Sequence, residues 1–212
     1  MDDVKGRRKY SSPVRDEQAA RTRARILDAA AKLFIERGYG QTTMKGIAEE
    51  AGVARDTVHA IFGSKARVLT AIIDVRLVPD GSVANVTERP ETQHIKAELD
   101  QRKQIELLAD FLTRVSVQVR PIFEVLRTAS AVEPEMAVAF QEMDRFRMKN
   151  MQTYARWIAA RGPLRVPTKR AGELLWTLAS PDVARMLCDD LGWTQAQHAH
   201  WLADTLQQSL VP

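Results

Sequence analysis

Between Thr43 and Lys65 the chain reads TMKGIAEEAGVARDTVHAIFGSK, and Lys45, Arg55, Thr57, His59 and Lys65 stand among small or apolar residues. Their hydroxyl, guanidinium, imidazole and ammonium groups can offer hydrogen bonds and positive charge to an anionic polymer. The elements that must carry them are two short helices. Met44, Ile47, Ala48 and Ala51 recur at three- and four-residue spacing, Gly52 permits a sharp turn, and Val58, Ile61 and Phe62 repeat the period. Arg55, Asp56, Thr57 and His59 are then left to face outward. This is the pattern of a helix-turn-helix, whose second helix enters the major groove of DNA with its N-terminal residues at the base edges. The same spacing also occurs in helix pairs that bind nothing.

The flanks decide in favour of the first reading. In RTRARILDAAAKLFIERGYGQTT, Ile26, Leu27, Ala30, Leu33 and Phe34 form one helical face, Gly38 fits a helix C-terminal stop, and Thr42 or Thr43 can cap the next helix. Downstream, Ser64 can cap a further helix that carries Val68, Leu69, Ile72 and Ile73 on one side. Three helices and a connecting fourth make a unit compact enough to stand on DNA.

With these residues in place, Arg21 to about Leu77 resembles the DNA-binding domain of the tetracycline-repressor (TetR) family of bacterial transcription regulators. The resemblance is carried by ILDAAAKLF, Gly38-Tyr39, Thr42-Thr43, Ile47-Ala48, Ala51-Gly52-Val53, Thr57, Phe62 and Lys65. It continues more weakly through LLWTLASPDVARMLCDDLGWTQAQHAHWLADTLQQSL, which is similar to the end of one group of TetR-type ligand-binding domains. The resemblance implies that Thr43 and Lys65 contact phosphates, with Lys45, Arg55 and Thr57 better placed for base edges. Several positions depart from the family pattern. Ala54 replaces the usual capping Ser, His59 and Ile61 stand where Tyr and His are common, and Gly63 replaces Pro.

The chain has 212 residues, which suits two domains. Neither a signal peptide nor an apolar run of membrane-spanning length is visible, so a soluble, cytoplasmic protein with no membrane partner is expected. Residues 1–67 hold 14 Lys+Arg against 9 Asp+Glu, whereas residues 68–212 hold 17 against 18. The positive field therefore belongs to the first domain. Lys5, Arg7, Arg8, Lys9, Arg15, Arg21, Arg23 and Arg25 form a basic leader suited to following phosphates, and residues 1–20 read as a flexible arm ahead of a 21–81 DNA-binding domain. The lone Cys188 excludes an intrachain disulfide and a Cys-rich zinc site, and a small packed residue is its ordinary role. No metal, cofactor or catalytic motif is apparent. His198 and His200, two apart on a helix, point to nearly opposite sides, so an enzyme is not expected.

Beyond Leu77, VPDGSVANVTERPETQ reads as a connector. Helical stretches follow at about 95–118, 122–132, 135–161, 168–179, 182–191 and 194–210, punctuated by Pro121, Pro134, Gly162-Pro163, Pro167, Pro181 and Gly192. The expected fold is all-α, with a C-terminal helical effector-binding and dimerisation domain over 82–212. The family places a small-molecule pocket inside such a domain. Candidate lining residues are Phe111, Val115, Phe123, Leu126, Phe140, Met143, Phe146, Trp157 and Trp176, each of which a plain helical core would also use. TetR-type proteins pair as homodimers through their last two long helices, here Thr168–Ala179 and Thr194–Leu210. Leu202, Leu206 and Leu210 offer an apolar stripe for that interface, with an intrachain core as the competing reading.

The function that follows is a ligand-responsive regulator, a repressor, that binds a palindromic operator as a homodimer and answers to a small-molecule effector. An activator or an effector-independent regulator is the alternative within the DNA-binding class. From another class, a helical adaptor could use the same motif to bind protein.

Overall fold

The computed structural model describes residues 13–77 and 86–212. Within them the chain is helical and contains no strand. Two compact units divide it, Met1–Ile72 and Ile73–Pro212.

The first unit is built on α1 (Pro13–Gln41), α2 (Met44–Ala51), α3 (Arg55–Phe62) and the start of α4 (Lys65–Leu77). Ile26, Leu27, Ala30, Leu33 and Phe34 face inward as the periodicity requires, and Ile47, Ala48, Ala51, Val58, Phe62, Val68, Leu69 and Ile72 are buried as well. Gly38 interrupts α1 with φ 76° and ψ 167°. The Thr42 hydroxyl takes over there, donating to the carbonyls of Gly38 at 2.8 Å and Leu33 at 3.1 Å. Thr43 then caps α2, its hydroxyl accepting from the Gly46 N–H at 3.0 Å. Ser64 does the same for α4 with the Arg67 N–H. Helix α1 already begins at Pro13, so residues 13–20 of the expected arm are helical. Lys5, Arg7, Arg8 and Lys9 lie outside the described residues.

The second unit contains α5 (Pro90–Ala97), α6 (Gln101–Ser130), α7 (Pro134–Ala159), α8 (Thr168–Leu178), α9 (Pro181–Arg185) and α10 (Gln195–Leu210). A single π-type turn, Met186–Asp190, extends α9. Two features depart from the sequence reading. Part of the expected connector is helix α5, started by Pro90 in the first turn, where its missing N–H is no loss; residues 78–85 of that connector lie outside the described residues. Helix α6 runs unbroken through Pro121, whose neighbours Ile122, Phe123, Val125 and Leu126 are all buried, so tertiary packing overrides the local penalty. Asp100 caps α6 by accepting from the Lys103 N–H at 2.7 Å.

The stripe on α10 also requires correction. Leu202, Leu206 and Leu210 are each fully buried within the single chain, in the cluster that holds Ile105, Leu108 and Leu112 of α6. One apolar stripe cannot face both a neighbouring helix and a second copy, and α6 takes it. His198 is the next member of the stripe, four residues before Leu202, and is fully buried too. His200 points to solvent and pairs with Asp204, so the two histidines do diverge. Half-buried Cys188 places its sulfur 4.0 Å from His198 Nδ1, and His198 Nε2 has no hydrogen-bond partner.

Burial, and after it the positive charge of Arg120, lowers the pKa of His198 below its ordinary 6.5. The folded unit thus keeps the ring neutral at a pH where the unfolded chain binds a proton. The stability tied to this group is complete above about pH 6.5 and is lost as the pH falls through the lowered folded value. Thermal melts followed by circular dichroism at pH 7.5 and pH 5.5 should show a larger acid-induced drop for the wild type than for His198→Leu. Equal drops would remove His198 from the acid response.

Candidate nucleic-acid interface

The turn between α2 and α3 is set by backbone geometry. Gly52 adopts φ 62° and ψ 41°, and its N–H reaches the Ala48 and Glu49 carbonyls while Val53 N–H donates to Ala48 at 3.0 Å. A Cβ at Gly52 would also lie 3.2 Å from Arg25 Nη2. Arg25 braces the turn from α1, donating to the Ala51 carbonyl at 2.5 Å and to Gly52 at 3.3 Å. A cation at the C-terminal end of α2 also suits the helix dipole.

Helix α3 is held down by Val58 and Phe62, both buried, and leaves the rest of its surface open. Arg55, Asp56, His59 and Ala60 are exposed and Thr57 is half-buried. Ile61 is exposed as well, at 37%, contrary to its expected place in the core. In an eight-residue helix, spacing alone cannot say which of Ile61 and Phe62 turns inward, and here the aromatic ring does. Ala54 gives α3 no side-chain cap, as its methyl group dictates, and the Thr57 N–H returns to the Ala54 carbonyl at 3.0 Å. Gly63 closes the helix with φ 75°, donating its N–H to the His59 carbonyl at 2.8 Å, a bond that proline could not make. The His59 ring lies with Nδ1 3.1 Å from the Gly63 carbonyl, which leaves Nε2 directed to other partners.

The structure places Thr43 at the cap of α2, Lys45 on α2, Arg55, Thr57 and His59 on α3, and Lys65 at the first residue of α4. They are not equally available. Lys45 is exposed and only loosely paired with Glu49 at 3.7 Å, an interaction of small worth at a surface. The Arg55 guanidinium has no hydrogen bond or ion pair among the described residues. Lys65 is half-buried; it donates to the Tyr39 carbonyl at 2.8 Å and sits 4.1 Å from the Tyr39 ring centroid. Its ammonium is therefore aimed before any partner arrives, with donors left over. Of the basic leader, three arginines among the described residues have partners within the chain. Arg21 pairs with Glu17, Arg23 lies 4.6 Å over the Phe62 ring, and Arg25 holds the turn.

In the second unit, a cleft of about 280 Å³ opens where α8 gives way to α9, walled on its other sides by α6 and α7. Of the expected pocket residues, Phe123, Phe140 and Trp176 line it. Phe111 and Leu126 are core, Val115 and Trp157 pack against the core cluster, and Met143 and Phe146 are half-buried away from the lining. The sequence reading missed the charged members Asp144, Arg147 and Asp182. Arg147 donates to the Trp176 carbonyl at 2.6 Å, stacks 4.3 Å from the Trp176 ring centroid and faces Asp144 at 3.6 Å. Burial pushes its pKa down, and Asp144 opposes that shift. Among the described residues no group of three or more His, Cys, Asp or Glu side chains is placed to hold a metal ion. No described helix is long and apolar enough to cross a membrane.

Residues 26–72 match the family model described as bacterial regulatory proteins, tetR family. The transcriptional regulator TtgR of Pseudomonas putida is 43% identical over 58 residues, 27% of this chain and 28% of TtgR, so the chain covers less than a third of that relative. The transcriptional repressor BepR of Brucella suis is 29% identical over 178 residues, 82% of this chain and 79% of BepR. Among solved structures, the regulator FadR of Bacillus subtilis in complex with stearoyl-CoA superposes with a TM-score of 0.66 at 16% identity, over 86% of this chain and 96% of FadR. That likeness is one of fold.

The turn geometry fixes an order among substitutions. Gly52→Ala should cost roughly 1–2 kcal/mol from its left-handed backbone alone, and more through the Arg25 contact. Thr43→Ala should lose about 1 kcal/mol with the cap. Gly40→Ala, whose Cβ meets nothing within 4 Å, should be neutral or slightly stabilising. Urea denaturation measures all three, and a Gly52→Ala protein as stable as Gly40→Ala would contradict this account of the turn.

Proposed function

We propose that this chain, which belongs through its first domain to the tetR family of bacterial regulatory proteins, is a ligand-responsive transcriptional repressor that binds a palindromic operator as a homodimer. The observation that carries the reading is α3. It is anchored by two buried side chains and presents Arg55, Thr57 and His59 outward from a domain whose sequence matches the family model. Arg55 suits a base edge because a guanidinium without an internal partner can make paired hydrogen bonds to a guanine. Thr43, Lys45, His59 and Lys65 surround it as hydroxyl or cationic groups for the backbone and neighbouring bases. Ile61, exposed on the same helix, is an apolar surface of the kind that packs on a thymine methyl group.

Dimerisation is part of the proposal because one helix-turn-helix spans one half-site, and a two-fold protein reads a palindrome. Leu202, Leu206 and Leu210 support such an interface from beneath rather than forming it. The outward faces of α8 and α10 remain for the contact, with half-buried Leu174, Leu178 and Trp201 as apolar candidates. Repression rather than activation is favoured by the long match to BepR. A small-molecule effector is favoured by the cleft in the second unit and by the ligand-bound fold neighbour. The effector releases DNA only to the extent that it prefers the conformation unable to span the operator, and the operator weakens effector binding by the same factor.

Titrations of an operator duplex and of a random duplex across a salt series test the reading. Lys65→Ala should weaken binding to both, with a salt slope smaller by about one unit; a thermal melt controls for loss of its Tyr39 contact. Arg55→Ala should lose roughly 1–3 kcal/mol on the operator alone. Equal losses on both duplexes for Arg55→Ala would refute its role as a reader of bases.

A further inference from the structure

The cleft at the α8/α9 break has a chemistry that the effector reading alone does not specify. Its origin is Pro181. Helix α8 ends before this residue, and Ser180 restarts the chain as the cap of α9, accepting from the Val183 N–H at 3.1 Å. The break leaves the Trp176 carbonyl to Arg147, which donates to it at 2.6 Å. Arg147 also lays its guanidinium on the Trp176 ring and turns Nε toward Asp144. The one positive group of the cleft is thus held by a carbonyl and a ring of its own chain, while its buried Nε, 3.6 Å from Asp144, makes no hydrogen bond.

Asp182 is in the opposite condition. This half-buried carboxylate, in the first turn of α9, makes no hydrogen bond and no contact ion pair among the described residues. Arg127 and Arg147 act on it only through space, and Arg127 is already paired with Glu124 at 2.6 Å. The lining therefore holds two carboxylates, Asp144 and Asp182, against one guanidinium. Besides Thr177 and Ser180 the remaining walls are apolar: Phe123 and Phe140 lie with ring centroids 5.4 Å apart, and Val183 and 45%-exposed Met186 complete the lining. Aromatic faces beside unpaired negative charge attract an organic cation far better than an anion. The buried Trp176 Nε1, without a partner, adds a neutral donor for a ligand oxygen and no charge.

We infer that this cleft takes an amphipathic organic cation, with the positive group between Asp182 and Asp144 and the apolar body against Phe123, Phe140 and Met186, and that this cation is the effector. The inference rests on the proposed function, in which the second unit answers to a small molecule. At about 280 Å³ the space suits a quaternary or tertiary ammonium bearing a single ring or short chain.

Calorimetric titration of the full-length protein with three probes of one shape tests it: benzyltrimethylammonium, its neutral isostere neopentylbenzene, and phenylmethanesulfonate. The cation should bind at least tenfold tighter than either of the others. Asp182→Asn should weaken the cation at least tenfold and leave the neutral isostere unchanged, with Asp144→Asn as a second variant and circular dichroism to confirm folding. Saturating cation should weaken operator binding by the wild type and much less by Asp182→Asn. Tighter binding of the sulfonate, no binding of the cation, or binding indifferent to both carboxylate substitutions would overturn the inference, as would cation binding that leaves operator affinity unchanged. A failure of the proposed function is separate, because the cation-free protein would then bind no operator at all.

Discussion

An eight-residue helix is about 12 Å long and too short to persist in water by itself, so α3 can present a rigid face only if something else holds it. That support is the packing of Val58 and Phe62 into the core formed with α1 and α2. Two arginines of α1 complete it, Arg23 over the Phe62 ring and Arg25 on the carbonyls that end α2. The consequence reaches the electrostatics. Arg23 and Arg25, which look in sequence like free positive charge for a phosphate backbone, are partly structural, whereas Lys45 on α2, Arg55 and His59 on α3 and Lys65 at the start of α4 keep donors for an external anion. Lys65 joins the two roles, since its ammonium is fixed by Tyr39 and still points donors outward.

The second unit follows a different logic. Its core is continuous from α6 to α10, and the leucines of α10 are consumed inside it, so they are not available to a second copy. The irregularities mark the chemistry. Pro181 breaks a helical stretch, frees a carbonyl that Arg147 occupies, and opens the cleft where charged and aromatic side chains meet. A π-type turn follows at Met186–Asp190, where Cys188 lies beside the buried His198.

Local signals in the sequence translated well into structure. Thr43, Gly52 and Ser64 stand where the termini of α2 and the start of α4 require them, and Gly38 breaks α1 three residues before its end, because caps and turns depend on a few adjacent residues. The missing cap at Ala54 was legible for the same reason. What the sequence could not convey was which of several apolar faces meets which neighbour. Ile61 lies outside and Phe62 inside, Leu202, Leu206 and Leu210 face α6, and Pro121 is carried within a helix held by its burial. The cleft suffered most, since three of nine expected residues line it and its charged members come together only through the break at Pro181. Spacing along one helix has no access to such an arrangement.

The central claim is that α3 reads duplex DNA and that two copies of it act together. Selection of bound sites from random duplex DNA by the wild-type protein addresses this most directly. The account predicts enrichment of a two-fold symmetric sequence whose half-sites are centred about one helical turn, or a multiple of it, apart. Enrichment of a single asymmetric site, or no enrichment at moderate salt, would contradict it.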